Sequence, residues 1–148
     1  MYRGIKLSEE EVEKIKKEND MYLDWFDKWL KAKELTEKTI KNHVLNVDFF
    51  INEYVCYHSE ETAINGYYKI SSFLGDWFIR KALWSSCAYI KSMAASIKKF
   101  YNMLMEKGVF KKDDYKDLCE IIKEEMPDWL DEMKKYDDLS EDDFLDYF

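Results

Sequence analysis

The sequence predicts an all-α protein, an orthogonal bundle of four to five helices with an acidic helical extension at its C-terminal side. Three observations carry that expectation. Apolar residues recur at three- and four-residue steps through most of the chain. Only 4 glycines and 1 proline occur in 148 residues, too few for the many turns of a sheet protein. Hydroxyl residues stand just ahead of the periodic stretches, where helix caps belong.

The first element opens on Ser8-Glu9-Glu10-Glu11, a capping box in which the glutamate reaches back to the serine's own backbone donor. Val12, Ile15, Tyr22, Leu23, Phe26, Trp29 and Leu30 then mark one inward face, and the helix is expected to end near Lys33. Thr36 caps the second helix and Thr39 follows one turn in. Its buried stripe is Ile40, Val44, Val47, Ile51 and Tyr54, and it is expected to run to about Tyr57. A polar stretch from His58 closes at Gly66. A shorter third helix spans roughly 68–81, with Ile70, Phe73, Leu74 and Trp77 inward.

Ser85 or Ser86 caps a fourth helix to Lys107, whose apolar face is Ile90, Met93, Ile97, Phe100, Tyr101 and Leu104, with Gly108 as its left-handed stop. Asp113 is expected to cap a fifth helix carrying Tyr115, Leu118, Ile121 and Ile122. Pro127 is expected to end it and begin another with Trp129, Leu130 and Met133. Ser140 then starts a last short turn ending Phe144-Leu145-Asp146-Tyr147-Phe148.

A chain of this length suits one helical domain, and 47% hydrophobic residues supply its core while 36% charged residues supply a solvated exterior. The net charge of −8 is unevenly spread. Residues 113–148 hold 15 acids against 4 lysines, net −11, which leaves residues 1–112 at net +3. The chain therefore divides by charge into a bundle, 1–112, and an acidic extension, 113–148.

No run of roughly 18 apolar residues marks a membrane span. Residues 1–17 are charged throughout, unlike a secretory signal, so the expected location is the cytoplasm. The odd set Cys56, Cys87 and Cys119, each inside a helical pattern, fits reduced thiols packed as small core residues.

Several chemistries are excluded by what is missing. Zinc needs closely spaced thiolate or imidazole pairs, and Cys56 with His58 is the one near pair here. No glycine-rich phosphate loop is present, and neither His43 nor His58 lies beside a recognisable nucleophile. The sequence calls for no cofactor, no metal and no catalytic residue, and the expectation is that the chain is not an enzyme.

The order of parts resembles the N-terminal core-binding domain of tyrosine recombinases, the phage integrases, over about residues 21–110. The resemblance rests on Tyr22-Leu23-x-x-Phe26-x-x-Trp29-Leu30, then Leu35-Thr36-x-x-Thr39-Ile40-x-x-His43, where the family often has tyrosine, then Phe49-Phe50. It continues with Ile70-x-x-Phe73-Leu74 and a serine-led helix ending Ile97-Lys98-Lys99-Phe100-Tyr101-x-x-Leu104-x-x-x-Gly108. It implies a SAM-like bundle, in a DNA integration and recombination context, whose second and fourth helices face duplex phosphates. Carried over, the DNA-binding residues are Thr36, Lys38, Thr39, Lys41 and Asn42 on the second helix. On the fourth they are Ser85, Ser86, Lys91, Ser92, Lys98 and Lys99. Lysines and hydroxyls at the positive ends of helices suit phosphate oxygens.

The catalytic half of a recombinase is absent from the pattern: Arg3 and Arg80 are the chain's two arginines, with no His-x-x-Arg. Lys111-Lys112-Asp113-Asp114 stands where the family passes into its catalytic domain. The implied partner is double-stranded DNA, held weakly by its backbone. The alternative is a protein-interaction or regulatory module of the same fold that no longer binds DNA. Its acidic tail would then serve as interface to a basic protein partner, as homodimer contact or as a mask over the DNA face, with no role at a membrane. Thr36, Ser85 and Ser86 would cap helices in either case.

Overall fold

The computed structural model describes residues 7–146, with side chains through Leu139. Every regular element among them is helical, and five helical segments follow one another: α1 (Glu9–Ala32), α2 (Glu37–Asp48, wound on through Phe49–His58), α3 (Tyr67–Lys81), α4 (Cys87–Glu106) and α5 (Lys112–Asp146).

The caps form as the sequence predicts. Ser8 accepts the Glu11 N–H at 3.2 Å while Glu11 Oε1 accepts the Ser8 N–H at 3.3 Å, closing the capping box. Thr36 Oγ1 accepts from Thr39 N at 3.2 Å, and Ser86 Oγ accepts from Tyr89 N at 3.0 Å. Ser85 does another task, donating to the Ile79 carbonyl at 3.0 Å and tying the turn back to the end of α3. After α4 the backbone at Gly108 turns left-handed, φ +78°, a conformation that costs a side-chain-bearing residue about 1–2 kcal/mol.

Two stretches depart from α geometry. From Phe49 to His58 the second helix widens to a π-helix, ending with Ser59 N–H bonded to the Tyr54 carbonyl five residues back at 2.9 Å. Phe73–Trp77, inside α3, does the same after a 3-10 start at Tyr67–Lys69. The two wide stretches pack their rings together: Phe50 and Phe73 at 5.1 Å, Tyr54 and Phe73 at 5.0 Å, Tyr54 and Trp77 at 5.1 Å. Apolar spacing there fits either winding, so sequence periodicity reads it as ordinary α-helix.

The expected break at Pro127 does not occur. α5 runs as one 35-residue helix with Pro127 inside it, and the backbone passes unbroken through Ser140, so no separate turn begins there. Proline forfeits the bond to the Lys123 carbonyl, and both residues are exposed, on the solvent side of the helix. Asp113 is not the cap: the helix starts at Lys112, two residues earlier than a cap at Asp113 implies, leaving Asp113 and Asp114 in the first turn, where carboxylates favour the helix dipole. The side chains of Phe144 and Leu145, and Tyr147 and Phe148 entirely, lie outside the described residues.

One core collects all five helices: Phe26 and Leu30 of α1, Val47 and Ile51 of α2, Phe73 and Phe78 of α3, Phe100 and Tyr101 of α4, Leu118, Trp129 and Met133 of α5. Val44, Trp77, Tyr115, Ile121, Ile122 and Leu130 pack at its edge, half-buried. Cys56 is buried, Cys87 and Cys119 are half-buried, and all three are free thiols. No helix among the described residues is long and apolar enough to cross a membrane.

Candidate nucleic-acid interface

α2 and α4 lie side by side, and a row of polar side chains fills their seam. His43 Nδ1 and Ser96 Oγ share a 2.7 Å hydrogen bond. Asn46 Nδ2 donates to Ser96 Oγ at 3.0 Å and to Ser92 Oγ at 3.3 Å. Ser96 donates in turn to the Ser92 carbonyl at 3.1 Å. Ascending α2 descends α4, so the helices are antiparallel, and the far end of the seam is closed by Phe49 against Trp84 at 5.4 Å. Partial burial, then the neighbouring Lys99 ammonium, hold the His43 imidazole below its usual pKa.

The antiparallel arrangement sets the two helix starts at opposite ends of the seam, about 20 Å apart at 1.5 Å per residue. Thr36 Oγ1 is engaged there with Thr39, accepting its N–H and donating to its hydroxyl at 2.9 Å. Thr36, Thr39, Ser85 and Ser86 therefore all spend their hydroxyls on local backbone or side-chain bonds. Whatever they give a ligand comes from the exposed first-turn backbone they cap.

The lysines divide by helical stripe. On α4, positions 92, 96 and 99 make the stripe toward α2, so Ser92 and Lys99 border the seam. Positions 87, 91, 94 and 98 make the stripe toward α5, where Cys87 Sγ donates to the Leu130 carbonyl at 3.7 Å; Lys91 and Lys98 border that side. Between the stripes, from Cys87 to Lys99, the outward face shows Ala88 and Ala95, both exposed, so a ligand can approach the backbone closely with cations on either flank; Asn102 and Glu106 follow on the same face.

On α2, Lys38 and Asn42 lie exposed just outside the seam. Lys41 belongs to a different groove, between α1 and α2, with Asp27, Lys31 and Glu37 around an apolar floor of Ile40, Val44 and Leu45. The fold thus brings Lys38, Asn42, Ser92 and Lys99 to one seam, keeps Lys91 and Lys98 on the adjoining flank of α4, and turns Lys41 toward α1.

Among the described residues none of Lys38, Lys41, Lys91, Lys98 or Lys99 joins an ion pair, whereas Lys28, Lys31, Arg80 and Lys135 all pair with a neighbouring carboxylate. From Trp77 to Met105 the chain carries no acidic residue at all, yet holds Arg80, Lys81, Lys91, Lys98 and Lys99. In a chain of net −8 this is a local positive field. That acid-free run, and the paired spacings His43/Asn46 and Ser92/Ser96, were legible in sequence and mark the seam better than the caps do.

No group of three His, Cys, Asp or Glu side chains converges as a metal site among the described residues. Ser96 and His43 are not a nucleophile and base open to substrate, because Ser96 is fully buried with its hydroxyl engaged by His43, Asn46 and the Ser92 carbonyl inside the seam. Comparison with family models, curated proteins and solved structures returns no match to this chain.

Proposed function

We propose that this chain is a noncatalytic module that holds a DNA duplex by its phosphates across α2 and α4, in the manner of the recombinase core-binding domain that its sequence resembles, with a SAM-like bundle as scaffold. One observation carries the reading: from Cys87 to Met105 the outward face of α4 is free of acids and presents unpaired lysines on both flanks of a small-residue strip, beside Lys38 and Asn42 of α2. A 20 Å seam matches about six phosphates of one B-form strand at 3.4 Å each. Such contacts position a protein on DNA without reading its sequence.

The test is fluorescence anisotropy with a duplex of about 20 base pairs across a salt series. Four lysines, Lys38, Lys91, Lys98 and Lys99, neutralising one phosphate each give a salt slope near −3.6, so affinity drops about 150-fold between 50 and 200 mM salt. Lys98→Glu with Lys99→Glu should lower the slope to about −1.8 and abolish binding at moderate salt. Unchanged affinity in that variant refutes the assignment of the face. The second reading, a protein-interaction module, is favoured by the acid surplus of α5, and absence of binding even at low salt selects it.

A further inference from the structure

Met133 is the last buried residue of α5 among those whose side chains are described, which end at Leu139. Beyond it the helix runs off the bundle: Tyr136 is 39% exposed and Leu139 62% exposed as α5 passes Gly75, Ile79 and Arg80 of α3. The backbone stays helical to Asp146, about 20 Å past Met133. Over residues 140–148 the sequence mixes four acids with Phe144, Leu145, Tyr147 and Phe148. The amphipathic pattern that is core as far as Met133 therefore continues in the sequence through residues 140–148.

The opposite kind of surface sits on the other side of α3. A turn closed by Ser85 N–H to the Ala82 carbonyl at 3.1 Å holds Leu83 wholly exposed, at 102%. Trp84, 48% exposed, is fixed edge-on by Phe49 at 5.4 Å and Phe78 at 6.2 Å, with the exposed Tyr89 beside it. Lys81 stands three residues before Trp84, the start of α4 adds its positive end, and the nearby Asp76 is already held by Arg80 through two 2.8 Å bonds.

We propose that this tip is the docking surface for the distal end of α5 from a second copy of the chain, reciprocal exchange closing a twofold dimer. A copy's own helix end cannot serve, because α5 passes α3 on the Gly75–Arg80 face while Trp84 packs on the Phe78 face. Pairing two α5 ends with each other sets six acids and two lysines per copy, over residues 134–146, against the same surplus. The tip offers Lys81, a helix start and a rigid aromatic anchor instead, the composition of an interface centre. The inference does not rest on the duplex reading.

Sedimentation velocity of the full chain without DNA tests it. A dimer should form in the micromolar range and dissociate as salt rises. Lys81→Glu with Leu83→Glu, both at exposed positions, should weaken it on the order of a hundredfold, and Asp142→Lys with Asp143→Lys should do the same. Mixing the two variants should restore association, because each altered tip then meets an altered tail of opposite charge. Circular dichroism confirms that both variants remain helical. A wild-type chain that is monomeric throughout, a dimer that survives the tip variant, or a mixture that stays monomeric would each overturn the proposal.

Discussion

Replacing Ser96 by alanine removes the atom on which the α2–α4 seam converges. Its Oγ holds His43 at 2.7 Å and Asn46 at 3.0 Å, and returns a 3.1 Å bond to the Ser92 carbonyl. After the change Asn46, which is buried, keeps only the 3.3 Å contact to Ser92 Oγ. His43 is half-buried and recovers a partner from water. One buried amide left short of a bond costs about 1–3 kcal/mol, so the expected loss is about 2 kcal/mol. For a domain of this size that lowers Tm by roughly 6 °C. Urea denaturation followed by far-UV circular dichroism measures it. A double-mutant cycle with Asn46→Leu sharpens the test, because an apolar pair leaves nothing unsatisfied and the double variant should cost less than the two singles together. A Ser96→Ala loss below about 0.5 kcal/mol, or strictly additive effects, would show that these bonds do not couple the two helices.

Three further outcomes are expected. Because burial and Lys99 hold folded His43 below its usual value, the unfolded chain protonates first as pH falls, so this stability is full above about pH 6.5 and is lost through the window beneath it. Thermal melts across that window should slope less steeply in His43→Gln, and identical slopes would assign the effect to another group. Gly66→Ala places a Cβ 2.5 Å from Val55 Cγ1 and 2.9 Å from the Thr62 carbonyl oxygen, and should cost about 1–3 kcal/mol in urea denaturation. Burial first, then Cys119, push the Tyr115 phenol up to about 12, and burial first, then Asp117, raise Tyr67 as well. Folding thus favours the neutral phenols, stability is lost as pH rises above about 10, and late tyrosinate absorbance should coincide with loss of helical signal.

The starts of α1, α2 and α4 and the inward faces were readable because capping and periodicity are local, whereas the Asp113 cap expected for α5 did not form. Ser8, Thr36 and Ser86 each bond the backbone within three residues, and all six apolar positions of α4 read from sequence are buried. What depends on a partner far along the chain was not readable. The π-winding of Phe49–His58 arises where its rings meet those of Phe73 and Trp77, and no local pattern announces that meeting. Pro127 was expected to break α5 on propensity alone. Burial of Leu118 on one side of it and of Trp129 and Met133 on the other holds the helix straight through.

The lysines of the candidate interface could be named from sequence, but their grouping could not. Lys98 and Lys99 are neighbours in the chain and lie about 100° apart around α4, one toward α5 and one toward α2. The seam itself needed the pairing of α2 with α4, a tertiary fact. His43 read in isolation is an unremarkable surface histidine, and only the 2.7 Å bond to Ser96, 53 residues away, gives it a place.

The wide coil between Phe49 and His58 fits more amino acids into each revolution than an ordinary helix does. Its length is consequently a fixed quantity in a way that its composition is not. Excising a single residue there would let the coil tighten, and every ring downstream would swing out of its slot against Phe73 and Trp77. Conservative exchanges of one aromatic for another should be tolerated at these sites far better than any shortening, so a descendant of this chain would be expected to vary its letters here while keeping their number.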